Sequence, residues 1–100
     1  MRIIWSAPAV ADLEAIYDHI ARDSSHYASR FVQRLISATE PLESFPNFGR
    51  VVPEGDGRHR EVLVRHYRIL YRVEGEDIYI VTVVHGSRDL AGAEEKPWER

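Results

Sequence analysis

The chain contains no cysteine, one methionine and a single lysine, Lys96, among its 100 residues. Without thiols there is no disulfide framework and no thiolate metal site, which fits a reducing cytoplasm. The five histidines, His19, His26, His59, His66 and His85, show no metal-ligand spacing with one another, so no metal is expected. A glycine-rich phosphate loop is also missing. Gly55-Asp56-Gly57 reads as a turn, and no cofactor is expected. No apolar run is long enough to span a membrane. The opening MRIIWSAPAVADLEA meets acids and prolines too soon to act as a signal peptide.

What remains is an ordinary soluble composition, 44% hydrophobic and 29% charged, sized for one compact domain. The formal net charge is −3 and the pI about 5.9, which argues against coating nucleic acid through bulk charge. One stretch departs from that balance. Between Arg58 and Val73 lie five arginines (Arg58, Arg60, Arg65, Arg68 and Arg72) against one acid, Glu61.

The chain divides into readable elements. Arg2 to Trp5 is short and β-branched, a strand. Ser6 offers an N-cap, Pro8 suits a first helical turn, and Val10, Leu13, Ile16, Tyr17 and Ile20 follow at helical spacing to about Arg22. Asp12, Glu14 and Asp18 occupy the other faces. Asp23, Ser24 and Ser25 cap a second helix, whose stripe is Tyr27, Phe31, Leu35, Ala38, Leu42 and Phe45, interrupted at Pro41. From Phe45 to Gly57, glycines and prolines mark a loop. Three alternating runs follow, broken at Arg65-His66 and at Glu74 to Asp77. In the last run Ile78, Ile80, Thr82 and Val84 alternate with Tyr79, Val81, Val83 and His85. Neither set is polar before His85, so that strand should be central or covered on both faces.

The order β-α-α-β-β-β implies an α+β domain of two layers, a helical hairpin packed on one face of an antiparallel four-stranded sheet. Residues 1–90 form the domain and 91–100 a polar C-terminal tail. The other sheet face is expected to be free and to carry Arg68 and Arg72, with Arg60 a further candidate.

Several residues have the chemistry for a site. An arginine fork suits phosphates and carboxylates, so Arg65, Arg68 and Arg72 form either an anion- or partner-binding surface or a set of ion pairs with neighbouring acids. His85, beside Arg88, has the chemistry of a general base, and Glu61 that of a second acid/base group. Against that stands a plainer reading, in which His85 ends a strand and Asp89 pairs with Arg88. Tyr71 is expected in the core, whereas Tyr67 is left open between core and base stacking.

Four segments, WSAPAVADLEAIYDHI, LESFPNFGRVVPE, REVLVRHYRILYRV and IYIVTVVHGSRDL, occur in an order and spacing that resembles the RelE/ParE superfamily of toxins from bacterial type II toxin–antitoxin systems. The resemblance runs from Ile3 to Leu90. It implies the fold above, with the first strand beside the last. It also implies a cognate, DNA-binding antitoxin, encoded nearby, that silences the toxin. RelE-like members cleave mRNA in the ribosome, whereas ParE-like members poison DNA gyrase and lack the nuclease residues.

Carried over by position, the arginine of the YRxxYRV segment, an RNA-phosphate ligand in RelE-like members, matches Arg68. The arginine past the final strand matches Arg88, and His85 stands near a catalytic histidine of some relatives. Other features favour the ParE-like branch. Where RelE-like nucleases place lysines, this chain has His59, Arg60, Glu61 and Val62, and its C-terminal segment carries Trp98 in place of a tyrosine. The low pI and the phrases SAPAVADLEAIYDHI and HGSRDL lean the same way. The resemblance therefore implies a gyrase-directed toxin without catalytic residues, with Arg60, Arg65, Arg68, Arg72 and Arg88 contacting an acidic partner. The alternative is a ribosome-dependent endoribonuclease using Arg68, His85, Arg88 and Glu61.

Overall fold

In the computed structural model, which describes residues 1–87, 90, 92 and 96, strand β1 (Arg2–Trp5) leads into helices α1 (Ala7–Ala21) and α2 (Ser25–Ser37). A 3-10 turn over Glu40–Glu43 follows, then strands β2 (Arg50–Val51), β3 (His59–Val64), β4 (Tyr67–Glu74) and β5 (Asp77–His85). Both helices begin at the serines that the sequence marks. Ser6 Oγ accepts from Ala9 N at 3.2 Å and Ser24 Oγ accepts from Tyr27 N at 3.1 Å, each relieving an orphan donor of a first turn. Pro8 lies in the first turn of α1, where its missing N–H costs nothing.

The sheet has five strands in the order β1-β5-β4-β3-β2, one more than expected. It is mixed, because β1 runs parallel to β5 while the other pairs are antiparallel. The additional strand is only two residues long and lies inside the stretch read as loop, too short to show an alternating pattern. The α2 stripe also ends earlier than its periodicity suggests. Pro41 lies in the first positions of a 3-10 turn that buries Leu42, and Phe45 beyond it is 66% exposed. Val10 and Tyr27 are likewise exposed, so the buried faces are Ala9, Leu13 and Ile16 on α1 and Ala28, Phe31 and Leu35 on α2.

These faces pack on Val62, Val64, Ile69, Tyr71, Ile78, Ile80 and Val83. That set breaks the simple alternation of β5, because Ile80 and Val83 are three residues apart. The cause is a β-bulge: Tyr71 pairs with Ile80 and Leu70 with Thr82, leaving Val81 as the extra residue. A bulge frees ladder groups, and α1 supplies the replacement. Asp12 Oδ2 accepts from Val83 N at 3.0 Å and from the Thr82 hydroxyl, while the Ser6 hydroxyl donates to Val81 O at 3.0 Å. Asp12 is therefore a tie between helix and sheet, not a solvent-facing acid. The bulge also moves His85 to the helix side, opposite Tyr67 in the register.

The far face of the sheet is not free. Leu70 and Val84 on that face are covered by Val52 and Leu90, and all four are buried in a second, smaller core. Strand β5 is thus both internal in the sheet and covered on two sides, as its apolar sequence requires.

Candidate functional site

A cleft of about 630 Å³ opens where the β3–β4 turn meets the end of β5. Arg50, Glu54, Arg65, His66, Arg68, His85 and Ser87 are among its lining residues. The register explains why they meet. Opposed residues of an antiparallel pair share a face, so Leu63 opposite Arg68, Glu61 opposite Leu70 and Arg72 opposite Tyr79 all lie away from the helices. Arg60 stands opposite Tyr71 and therefore belongs to the other face. Its guanidinium donates to Gly49 O at 2.8 Å, which corrects its candidacy for the arginine face.

Arg68 is buried and fully engaged at both ends of its fork. Nε donates to Glu61 Oε1 at 2.6 Å, and Nη1 and Nη2 donate to the two carboxylate oxygens of Glu54 at 2.8 Å each. Glu61, whose side chain is 0% exposed, spends its second oxygen on Arg50 Nε at 2.6 Å. Two arginines and two glutamates thus form one neutral chain. The hydrogen bond from Arg68 holds the Glu54 carboxyl below its usual range, and the Glu54 carboxylate in turn pushes the Arg68 guanidinium pKa up, outweighing its desolvation. A phosphate reaching Arg68 would have to displace Glu54. Both oxygens of the Glu61 carboxylate are taken by guanidinium groups.

Among the described residues, Arg72 and Arg65 stand outside that network. Arg72 donates from Nε to Glu74 Oε1 at 2.5 Å and lies over the Tyr79 ring at 5.1 Å. Arg65 occupies the β3–β4 turn with φ at 54°, a left-handed backbone that costs an L-residue about 1–2 kcal/mol. Arg88 lies outside the described residues, as does Trp98. His85 is exposed. Its Nδ1 accepts from Ser87 N at 3.1 Å and lies 2.7 Å from Ser87 Oγ, so the neutral ring carries its proton on Nε2.

Sequence reasoning missed Glu54, Arg50 and His66. Glu54 sits 14 residues from Arg68 in an irregular loop, where no periodicity connects it to a strand. His66 becomes relevant only through the fold, which stacks its ring on His85 at 6.1 Å. Among the described residues, no group of acids and histidines is arranged to hold a metal ion. No described helix is long and apolar enough to cross a membrane.

A helical hairpin on one face of a mixed five-stranded sheet is the scaffold of the RelE/ParE toxin class. Residues 3–90 match the model of the ParE toxin of the type II toxin–antitoxin system parDE. The chain is 29% identical to Toxin ParE3 of Caulobacter vibrioides, over 90% of this chain and 91% of the relative. It is 35% identical to Toxin RelE2 of the same organism, over 87% and 97%. A solved structure described as the chromosomal ParDE TA system from P. aeruginosa superposes with a TM-score of 0.75 at 28% identity, over 85% of this chain and 95% of that one. The chain belongs to the ParE toxin family of type II toxin–antitoxin systems.

Proposed function

We propose that this toxin acts by binding, with DNA gyrase as its target, and that it is neutralised in the cytoplasm by a cognate antitoxin. The observation that carries this reading is the state of Arg68. The residue matching an RNA-phosphate ligand of RelE-like members is buried, and both ends of its fork are held by Glu54 and Glu61. Glu61, the second acid/base candidate, is committed to the same network. An interior ion-pair network of this kind serves the fold and leaves no open phosphate clamp at that position. The ParE family match over residues 3–90 supports the same branch. The antitoxin assignment is supported by the ParDE system to which the chain is structurally similar.

A second reading, a ribosome-dependent mRNA endoribonuclease, draws support from the RelE2 relative and from the exposed His85 ring with its Nε2 proton. The test is induction of the chain in bacteria with and without the neighbouring antitoxin gene, scored for plasmid supercoiling and for mRNA integrity. Relaxed plasmid and intact mRNA, in the wild type and in His85→Ala alike, are the expected result. Codon-phased mRNA cleavage that disappears in His85→Ala would establish the nuclease instead.

A further inference from the structure

Between the helical hairpin and the β3–β4 turn lies a second cleft, of about 300 Å³. Five rings form a continuous ladder along it. Tyr27 stacks on Phe31 at 6.1 Å between centroids, and Phe31 tilts onto Tyr67 at 5.6 Å. Tyr67 meets His85 edge-on at 5.4 Å, and His85 lies near-parallel to His66 at 6.1 Å. His19 and Ile20, in the last turn of α1, and Arg65 complete the lining.

We propose that this cleft is a docking pocket for an acidic residue and an adjacent apolar one presented by a partner polypeptide. The argument is one of charge and size. The titratable and charged groups facing the cleft are His19 from α1, Tyr27 from α2, Arg65 and His66 from the turn, Tyr67 from β4 and His85 from β5. Among the described residues, no carboxylate lines the cleft. Arg65 has no hydrogen-bond or ion-pair partner among the described residues, unlike Arg68 and Arg72. The neutral His85 ring keeps an Nε2 proton to donate, because its Nδ1 is taken by Ser87. One carboxylate therefore finds a guanidinium and imidazole donors without displacing any internal acid. The ladder of rings gives an apolar neighbour a surface to bury. The volume suits one or two side chains, and the −3 charge of the chain opposes a polyanionic strand.

The left-handed backbone of Arg65 points the same way. Glycine would relieve it, yet a long cationic side chain is held there in the turn shared by both clefts. The proposal does not depend on which target the toxin poisons.

The test uses the full chain and three probes: acetyl-Phe-Glu-amide, acetyl-Phe-Gln-amide and a short single-stranded oligoribonucleotide. The readout is the imidazole carbon-bound proton resonances of His19, His66 and His85. The Glu dipeptide is expected to shift the His66 and His85 resonances saturably. The Gln dipeptide should bind at least about fivefold more weakly. Arg65→Gly keeps the turn, since glycine accepts the positive φ, and should weaken the Glu dipeptide about tenfold. Absence of saturable shifts, equal binding of the Gln probe, or displacement of the dipeptide by the oligoribonucleotide overturns the proposal.

Discussion

Removing Glu61 probes whether the arginine network belongs to the fold. The carboxylate is wholly buried between Arg68 Nε and Arg50 Nε, each at 2.6 Å. Losing one partner of a buried pair costs about 3–5 kcal/mol, because the remaining charge is left desolvated. Glu54 still grips the far end of Arg68, which places Glu61→Ala near the lower figure, about 3 kcal/mol. The Arg50 half adds under about 1 kcal/mol, since that side chain is 57% exposed and water replaces its partner. For a domain of this size, with a total stability of about 5–15 kcal/mol, the loss is large, and thermal unfolding should fall by about 12–24 °C. Urea unfolding with linear extrapolation measures it directly. The paired replacement Glu61→Leu with Arg68→Met should recover most of the loss, because well-packed apolar groups substitute for a buried pair at little cost. If Glu61→Ala stays within about 0.5 kcal/mol of wild type, or the paired replacement is worse than the single one, the network is not structural and the reasoning fails.

Other consequences are open to the same assays. Asp12→Ala leaves Val83 N–H and the Thr82 hydroxyl unsatisfied at a buried bulge, and should cost about 2 kcal/mol in urea unfolding; a loss confined to surface values would deny the tie. A Cβ at position 49 would sit 2.6 Å from Glu61 O and 2.7 Å from Tyr71 Cε1, so Gly49→Ala should destabilise by about 1–3 kcal/mol and loosen the Gly49 N to Tyr71 hydroxyl bond. Glu54 and Asp56 both have carboxyl pKa values held below the ordinary range, by Arg68 and by the Arg58 backbone N–H respectively. Their stabilisation is present above the unfolded value of about 4 and is lost as pH falls through the folded values. Stability should therefore decline as pH falls below about 4, and Glu54→Gln should flatten that decline; an unchanged slope would count against the Arg68–Glu54 bond.

Much of the fold was legible because local chemistry and global structure agree. Ser6 and Ser24 mark helix starts whatever surrounds them, and α2 ends before Pro41, which cannot donate into a continued helix. The apolar content of β5 correctly implied cover on both faces. What escaped is non-local. The bulge at Val81 is set by how β4 and β5 pair and by the reach of Asp12 from another element, and it reverses which residues share a face with His85. Strand β2 is defined by its partner rather than its two residues. The candidate site suffered from the same limit. Arg68 looked like an unbalanced cation because its counter-ion Glu54 comes from a loop 14 residues away, and Arg60 looked like its neighbour until the register put it opposite Tyr71. The aromatic ladder joining Tyr27 to His66 spans α2, β4, β5 and the β3–β4 turn, so no window of sequence contains it.

The most direct measurement is gyrase-catalysed supercoiling of relaxed plasmid in the presence of saturating purified toxin, with a translating-ribosome reaction run on the same preparation. A toxin whose Arg68 is closed off by Glu54 and Glu61 should block supercoiling and leave ribosome-bound mRNA intact. Normal supercoiling beside cleaved mRNA would contradict the account.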